Sequence, residues 1–284
     1  MRVLITGASG MTGAELARQA RARGWDATAL TRRDLDVAEL PAVEDAVGRA
    51  RPDVVFNAAA YTSVDAAEDD AETAMAVNGT GAGNVAVAAR ENDALMIHIS
   101  TDYVFSGDNP LPCKPDDPVA PLNVYGESKL AGEIAVRAEC QHHVIVRTSW
   151  VYSHEGRNFV RTMLRAAEEG RELRVVNDQR GCPTSSADLA AALLAVAEKA
   201  RNAATTGTYH FCNAGVTTWY DLAREVFRIR GISPKLKPIS TEEFAAKAKR
   251  PRSSVLDCTS FTSAFGVTPR PWEIALKDTM EKIS

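Results

Sequence analysis

The chain opens with residues 1–13, MRVLITGASGMTG, and this stretch decides the fold. Residues 3–6 form a short apolar, β-branched run, which is typical of a buried parallel strand. Three glycines follow at the spacing G-x-x-G-x-x-G, and a helical segment comes after them. Gly7 lets the chain turn sharply, Gly10 leaves room for a pyrophosphate, and Gly13 lets the helix pack closely on the strand. The stretch predicts a dinucleotide-binding unit rather than a glycine-rich turn without a ligand.

The remainder of the first half alternates strands and helices. The apolar patterns predict strands at residues 2–6, 26–30, 54–57, 95–100 and 144–148. They predict helices at residues 12–23, 40–50, 70–92 and 124–140. Repeated β-α units with right-handed crossovers indicate an α/β fold with a doubly wound, Rossmann-like parallel sheet. Ligands of such sheets bind beyond the carboxyl ends of the strands.

The second half is less regular and predicts a smaller, mixed α/β C-terminal substrate domain. Helices are expected at residues 158–168, 187–201 and from Thr218 to Ile229, where Thr218-x-x-Asp221 resembles a capping box. Strands are expected at 173–177 and 209–212, the second rejoining the main sheet, and 231–237 reads as a linker. We assign residues 1–152 plus about 184–214 to the dinucleotide-binding domain, and about 153–183 plus 215–284 to the substrate domain.

Composition narrows the possible partners. The chain has 284 residues, 45% of them hydrophobic and 25% charged, and its net charge of −4 does not indicate a nucleic-acid or membrane surface. The five cysteines are scattered and never follow C-x-x-C spacing, which fits free thiols in a reducing cytosol. No signal peptide and no apolar run of about 18 residues is evident. We therefore expect a cytoplasmic protein that is a monomer or weak homodimer.

A hydroxyl, a phenol and an ammonium form the candidate catalytic group. Tyr125 and Lys129 are four residues apart, so on a helix they share one face, although this spacing alone is common. A free phenol has a pKa of ~10, and a nearby positive charge lowers it. Thr101 ends a predicted strand about twenty residues earlier. Reduction of a carbonyl needs a hydride at carbon and a proton at oxygen. We expect Thr101 to hydrogen-bond the oxygen, Tyr125 to donate the proton, and Lys129 to tune Tyr125 and hold the nicotinamide ribose.

The residues after the second strand bear on cofactor choice. An acidic residue there favours NAD, whereas an arginine accommodates the 2′-phosphate of NADP. Thr31 is neutral, and Arg32 and Arg33 follow it. We expect NADPH, with NADH possible because Asp34 and Asp36 are close by.

Several motifs together resemble a known family. The glycine pattern, NAAAY at 57–61, STDYVF at 100–105 and the Tyr125-x-x-x-Lys129 pair resemble the extended short-chain dehydrogenase/reductases. Finer strings are PLNVYG at 121–126, RTSWVY at 147–152, NDQ at 177–179 with Pro183-Thr184, and Arg250-Pro251 with SVLD at 254–257. Over residues 1 to about 275 these resemble the dTDP-4-dehydrorhamnose reductase family.

This resemblance implies a reaction and a set of site residues. The family reduces the C4 ketone of dTDP-4-dehydro-6-deoxy-L-mannose to dTDP-L-rhamnose. Its catalytic residues match Thr101, Tyr125 and Lys129. Its substrate contacts match Asp102, Tyr103 and Trp150, and less securely Asn158 and Arg250. Its cofactor contacts match Gly7, Ser9, Gly10, Met11, Asp36, Val37, Ala58, Ala59, Ala60 and Tyr61. To these we add Gly13, Arg32, Arg33, Tyr125 and Lys129 as expected cofactor contacts from the arguments above.

For some of these residues a structural role is an alternative to a functional one. Trp150 lies in an apolar run and fits a core tryptophan equally well, Asn158 fits a helix cap, and Asp102 fits a turn former. His98 lies within an apolar strand and is expected to be a core histidine. The basic cluster Lys247, Lys249, Arg250 and Arg252 is either a solvated face or a grip for a diphosphate.

Two alternatives concern the molecule as a whole. It fits another nucleotide-sugar reductase or epimerase of the superfamily, or a regulatory subunit that binds cofactor without turnover. Some family members hold magnesium between glutamates at a dimer interface, where Glu15 matches one position. The segment after Pro183-Thr184 offers Asp188, and the chain ends at Ser284, where other members run on. Because these features depart from the family pattern, we predict no metal site.

Overall fold

The computed structural model describes residues 1–109, 111–200 and 205–283. The strands are β1 (Arg2–Thr6), β2 (Asp26–Leu30), β3 (Val54–Asn57), β4 (Leu95–Thr101), β5 (His143–Thr148), β6 (Val151–Tyr152), β7 (Leu173–Val176), β8 (Arg180–Gly181), β9 (Thr184–Ser185), β10 (Gly207–His210), β11 (Thr217–Thr218) and β12 (Leu236–Ile239). The helices are α1 (Met11–Ala22), α2 (Leu40–Ala50), α3 (Val64–Ala67), α4 (Ala71–Met75), α5 (Gly81–Glu91), α6 (Val124–Glu139), α7 (Phe159–Glu168), α8 (Ser186–Lys199), α9 (Trp219–Arg230), α10 (Thr241–Phe244), α11 (Thr259–Phe265) and α12 (Trp272–Met280).

Six strands form a parallel sheet in the order β10-β5-β4-β3-β1-β2. Helices α1, α8 and α11 pack on one face of the sheet, through residues such as Leu16, Leu193 and Phe261. Helices α2, α5 and α6 pack on the other, around Val43, Val85 and their neighbours. The predicted doubly wound sheet is confirmed. Chain order reverses between β1 and β3, and a ligand crevice is expected at this switch point.

A second, smaller core lies in the C-terminal half. It joins α7, α9 and α12 with the parallel pair β7 and β12, and its buried side chains include Leu164, Val226 and Leu276. This is the mixed α/β part that the sequence predicts. The exact division into two domains stays a prediction. Phe261 and Phe265 of α11 pack in the core of the main sheet, so core membership places that helix with the dinucleotide-binding part.

Several local expectations differ from the structure. The helix expected at 70–92 contains a π-helical turn, Ala76–Thr80, between α4 and α5. The end of the expected linker at 231–237 enters β12, which pairs with β7. The strand expected at 209–212 begins two residues earlier, at Gly207. The helix expected to reach Arg201 is described to Lys199, and Arg201 lies outside the described residues.

Candidate active site

A cavity of about 600 Å³ opens at the carboxyl ends of β1, β3, β4 and β5. Most of the predicted site residues line it. They are Gly7, Ser9, Gly10, Met11, Gly13, Arg32, Asp36, Val37, Ala58, Ala59, Ala60, Tyr61, Thr101, Asp102, Tyr103, Tyr125, Lys129, Trp150 and Asn158. The structure therefore brings together residues that are up to about 150 positions apart in the chain.

The glycine-rich turn gives one end of this cavity the shape of a phosphate site. Gly7 has φ +64°, and a Cβ there would lie 2.6 Å from the Ala58 carbonyl carbon. A Cβ on Gly13 would lie 2.3 Å from the Gly7 oxygen, so the close fit of strand and helix requires glycine at both positions. Helix α1 begins after Gly10 with no described side chain capping it and no acidic residue in its first turn. Its amides are thus available to an anion, which fits the pyrophosphate of a dinucleotide.

The loop after β3 is held by a residue that the sequence reasoning missed. Asn78, fully buried in the π-helical turn, accepts a hydrogen bond from the Tyr61 amide (2.8 Å) and donates to the Tyr61 carbonyl (3.0 Å). It also donates to the Ser128 hydroxyl on α6 (2.9 Å). The same side chain therefore fixes the cofactor loop relative to the helix that carries the candidate catalytic pair. Such π-helical turns are frequent at functional sites, but the sequence pattern here fits an unbroken helix.

Thr101, Tyr125 and Lys129 meet at the centre of the cavity. Thr101 ends β4, and the other two lie one turn apart on α6, whose first turn is capped by Asn123 accepting from the Gly126 amide (2.8 Å). The Lys129 Nζ donates to the Ile99 carbonyl (2.8 Å) and lies 3.4 Å from His98 Nε2. Both His98 and Lys129 are buried, so His98 is the core histidine that the sequence predicts.

The pKa of Tyr125 differs from the value expected from the sequence. Burial raises the pKa of Tyr125 to about 12, and the neighbouring Thr101 hydroxyl only partly opposes the rise. The lowering of the Tyr125 pKa expected from Lys129 is therefore not observed, because desolvation dominates. Burial also lowers the pKa of Lys129 to about 8, opposed by Glu133. At neutral pH Tyr125 keeps its proton, as a proton donor must.

Asp102 is a buried carboxylate that faces the cavity. It is 2% exposed, its Oδ1 accepts from the Thr101 hydroxyl (3.1 Å), and its Oδ2 has no hydrogen-bond partner within the described residues. Burial raises the pKa of Asp102 to about 7, and the hydroxyls of Ser254 and Thr101 only partly oppose the rise. An unsatisfied buried oxygen is costly. The position of this oxygen in the cavity lining suits it to accept from a ligand hydroxyl or amide.

The remaining substrate candidates have structural partners. Asn158 caps α7 by accepting from the Arg161 amide (3.2 Å) and donates to the Ser153 carbonyl (2.9 Å), so its predicted capping role is confirmed. Arg250 is not among the described residues that line the cavity, but its guanidinium pairs with Asp65 (2.6 Å) and also interacts with the side chain of Tyr103, which does line it. Trp150 lines the cavity while its ring stacks on Trp219 at 3.7 Å.

Of the two arginines after β2, Arg32 lines the cavity and Arg33 is absent from its described lining. Asp34 turns back to accept from the amide (2.9 Å) and hydroxyl (2.7 Å) of Thr31, so its carboxylate is occupied. Asp36 lines the cavity and accepts from the Ala38 amide (3.1 Å). The arrangement leaves Arg32 as the charged side chain suited to a 2′-phosphate.

The structure also bears on the predictions about a metal site and a membrane span. Glu15 is buried and accepts from Arg18 (2.5 Å) and Gln19 (3.1 Å), so its carboxylate is occupied within α1. In the part of the chain that the structure describes, no group of three His, Cys, Asp or Glu side chains suits a metal ion. Across residues 1–109, 111–200 and 205–283, no helix has the length and apolar character needed to cross a bilayer.

Some lining residues were not predicted. Besides Trp219 they are Thr12, Leu35, Thr62, Val64, Val77, Ile99, Ser100, Thr148, Ser149, Val151 and Arg157. Several of them directly follow or end the strands β3, β4 and β5, so the strand-end rule offered a signal for them. Trp219 begins a helix far along the chain, and the sequence carries no comparable signal for it.

The glycine cradle, the crevice at the switch point and the Thr-Tyr-Lys group together define an extended short-chain dehydrogenase/reductase. A family model described as "RmlD substrate binding domain" matches residues 1–284. Curated relatives named dTDP-4-dehydrorhamnose reductase are 40% identical over 296 residues in Escherichia coli (100% of this chain, 98% of that protein) and 44% over 281 residues in Streptomyces griseus (98% and 92%). The chain belongs to the dTDP-4-dehydrorhamnose reductase family, as its motifs predict.

Solved structures agree with this membership. The crystal structure of a dTDP-4-dehydrorhamnose reductase from Clostridium acetobutylicum has a TM-score of 0.94 and 39% identity, and covers 99% of each chain. That of the Bacillus anthracis reductase in complex with NADP has a TM-score of 0.94 and 38% identity, again over 99% of each chain. A Thermus thermophilus UDP-glucose 4-epimerase shares the fold at 21% identity and a TM-score of 0.85.

Proposed function

We propose that this protein is an NADPH-dependent reductase of dTDP-4-dehydro-6-deoxy-L-mannose that forms dTDP-L-rhamnose by reducing the C4 ketone. The observation that carries the proposal is the meeting of Thr101, Tyr125 and Lys129 in the cavity that also holds the glycine cradle. Family membership supports the same reaction, and the NADP in the Bacillus anthracis relative supports the cofactor. We expect the protein to act in the cytoplasm as a monomer or weak homodimer.

The residues present fit the cofactor. The α1 amides and the glycine cradle would hold its pyrophosphate and Arg32 its 2′-phosphate, and Ala58 to Tyr61, which follow β3 in the cavity lining, would contact it as well. Lys129 offers its ammonium to the nicotinamide ribose. When bound, NADPH supplies the hydride that reduces the ketone carbon.

Proton transfer is the task of the chain's own residues. Tyr125 donates a hydrogen bond to the ketone oxygen, as does Thr101 once its hydroxyl turns away from Asp102, and negative charge develops on that oxygen as C4 gains the hydride. Tyr125 then gives up its phenolic proton, which completes the alcohol. The phenolate that remains is stabilised by Lys129, whose pKa of about 8 leaves it mostly protonated at neutral pH. Proton uptake from water restores Tyr125.

The sugar nucleotide occupies the rest of the cavity. Asp102 lines this part with a buried oxygen that accepts no hydrogen bond from the described residues, and Tyr103 packs edge-on against Tyr125 at 5.8 Å. These two residues and Trp150 position the hexose, and Asn158 lies beside them as the cap of α7. Arg250 pairs with Asp65 and interacts with the Tyr103 side chain, and from this position we expect it to bind the diphosphate.

The proposal is tested by following NADPH oxidation with dTDP-4-dehydro-6-deoxy-L-mannose and identifying the product by NMR. Matched UDP- and dTDP-4-ketosugars test the base and the sugar. Formation of dTDP-L-rhamnose with one NADPH consumed per product supports the proposal. Stoichiometric NAD that remains bound through purification and turnover indicates an epimerase instead, and cofactor binding without turnover indicates a regulatory subunit.

A further inference from the structure

The indole of Trp150 is contacted on both faces. The ring of Trp219 stacks on it with centroids 3.7 Å apart and planes within 9°. A Cβ on Gly181 would lie 2.4 to 2.7 Å from Cε2, Cζ2 and Nε1 of Trp150, so the backbone of Gly181 also lies against this ring. Because the stacked indole leaves no space for a backbone on its own side, Gly181 approaches the opposite face. Trp219 therefore covers one face of Trp150, and Gly181 covers the part of the other face that carries Cε2, Cζ2 and Nε1.

The backbone of Trp150 also fixes this arrangement. Trp150 has φ +47°, a left-handed conformation that is strained for a bulky residue. Strain of this kind is retained where the surrounding structure determines the conformation, and it is concentrated at functional sites. Glycine at 181 is needed for the contact, since any side chain there would meet the indole. Trp150 thus acts as a rigid support behind Trp219.

Trp219 is held in place by contacts from two further sides. Its Nε1 donates to Gln179 Oε1 (3.2 Å), and Gln179 is buried and donates in turn to the Thr241 hydroxyl (3.0 Å). The ring of Phe159 leans against it at 4.7 Å and 50°. Trp219 is the first residue of α9, whose start is fixed by the Thr218 cap. It is nevertheless only partly buried, and it lines the same cavity as Tyr125 and Lys129.

We propose that Trp219 is a substrate-contacting residue whose indole receives the apolar side of the 6-deoxyhexose, including its methyl group, with Trp150 as its support. The inference rests on the proposed function. An aromatic surface matches the C–H groups of a deoxysugar, and fixed aromatic side chains make such contacts at little entropic cost. The polar end of the hexose is left to Asp102 and the catalytic hydroxyls. The specificity for a 6-deoxy sugar then depends on Trp219.

Trp219→Ala should raise KM for the dTDP-ketosugar and lower kcat/KM by about 10- to 200-fold, the effect of losing an apolar substrate contact. Affinity for NADPH should stay within about twofold. Affinity for dTDP-L-rhamnose, measured by calorimetry, should fall, while affinity for dTDP alone should not, because the contact is to the sugar. Trp219→Phe should retain most of the affinity, since it keeps an aromatic ring without the bond to Gln179.

Tyr220→Ala provides the matched control, because Tyr220 is the next aromatic residue on the same helix and is not part of the described cavity lining. It should leave KM unchanged. Circular dichroism supplies a readout of the stack itself: the exciton couplet of two stacked indoles should vanish in both Trp219 variants.

An unchanged or lowered KM in Trp219→Ala overturns the proposal, and a lowered KM would mean that substrate must displace Trp219. Equal losses of dTDP and dTDP-L-rhamnose affinity also overturn it, since the contact would then be to the nucleotide. A wild-type protein that neither binds dTDP-L-rhamnose nor reduces the ketosugar overturns the proposed function, and this inference with it. Normal wild-type turnover with an unaffected Trp219→Ala overturns the inference alone.

Discussion

Tyr125 is the residue on which the proposed chemistry depends most directly. Tyr125→Phe removes the phenolic proton but keeps the ring that packs against Tyr103. We expect kcat to fall by about 10²- to 10⁴-fold, the usual contribution of a general acid, with NADPH affinity changed by less than about threefold. Stopped-flow kinetics and cofactor titration measure the two effects. Tyr209→Phe, on β10, is the control. Near-normal turnover in Tyr125→Phe would remove this residue as the proton donor.

The contrast between Arg32 and Arg33 tests cofactor choice. Only Arg32 is among the described residues lining the cavity, so Arg32→Ala should weaken NADPH binding by about 10- to 100-fold through loss of a charged hydrogen bond to the 2′-phosphate. NADH binding should change by less than about twofold, because NADH lacks that phosphate. Arg33→Ala is the matched control and should affect neither cofactor. Equal weakening of both cofactors by Arg32→Ala contradicts the assignment.

Asp102 should make stability depend on pH. Its folded pKa of about 7 lies above the ~3.9 of an unfolded aspartate, so the folded state holds more protons between these values. Stability from this group is therefore present at low pH and is lost as pH rises to about 7, by at most about 4 kcal/mol. Asp102→Asn should gain stability relative to wild type between pH 5 and pH 8 in urea unfolding. Asp108→Asn, at an exposed position, should show no such gain. If the stability of Asp102→Asn relative to wild type is the same at every pH, the burial argument is refuted.

At the scale of elements, one buried ionic network positions α6. Glu133 is fully buried, accepts from Arg147 through both oxygens (2.8 Å each), and accepts from the Ser100 hydroxyl (2.6 Å). It lies one turn beyond Lys129. Although burial favours the neutral acid, the arginines keep the pKa of Glu133 below its ordinary value. The network therefore joins the catalytic helix to β4 and β5.

Glu133→Ala should destabilise the fold by about 3–5 kcal/mol and reduce kcat, because Arg147 is left buried without its partner and α6 loses its tie to the sheet. Denaturant unfolding and steady-state kinetics check this. Glu139 is on the same helix as Glu133 and makes an exposed pair with Arg90 of α5. Glu139→Ala should therefore cost less than about 1 kcal/mol of stability. The double variant Glu133→Leu with Arg147→Met should be more stable than Glu133→Ala. If it is equally unstable, the unpaired arginine is not the cause.

The elements show what sequence patterns determine locally. Strands β1, β3, β4 and β5 were predictable because each contains a short apolar run, and α1 because glycines precede it. The π-helical turn was not, since the contacts of Asn78 with Tyr61 and Ser128 come from distant segments. Thr218 does cap α9, but the full reciprocal capping box is at Ser240 and Glu243 instead. Buried charges such as Glu133 escape prediction because charged residues are ordinarily solvated.

At the scale of the whole molecule, the predictable part of the site is the part built at strand ends. The glycine cradle, Thr101 and the Tyr125–Lys129 pair follow from the doubly wound topology, which gathers strand ends at one edge. Trp219 and the partners of Arg250 depend on how the C-terminal part lies against the sheet, and no local pattern determines that. The placement of Arg250 between Asp65 and the cavity-lining Tyr103 is the clearest example.

The loop between α10 and α11 is bonded to the first half of the chain close to the cavity. Arg250 pairs with Asp65 of α3 through both carboxylate oxygens (2.6 and 3.1 Å), Lys247 pairs with Asp69, and Asn123 donates to the Lys249 carbonyl (2.7 Å). Asp65 thus occupies Arg250 in the way that a diphosphate would, since a guanidinium binds either group with the same two-pronged geometry. If Arg250 grips the substrate, it must exchange one anion for the other.

Two variants distinguish this exchange from a simple clamp between the two parts. Arg250→Met should raise KM for the sugar nucleotide by about 10-fold or more, because the diphosphate loses its charged partner. Asp65→Asn should lower KM by a few fold, since Arg250 then reaches the diphosphate without leaving a carboxylate. Steady-state kinetics measures both, and unfolding should change by under about 1 kcal/mol because the pair is partly solvated. If the pair only clamps the loop, both variants would raise KM alike, and Arg250 would not be a substrate contact.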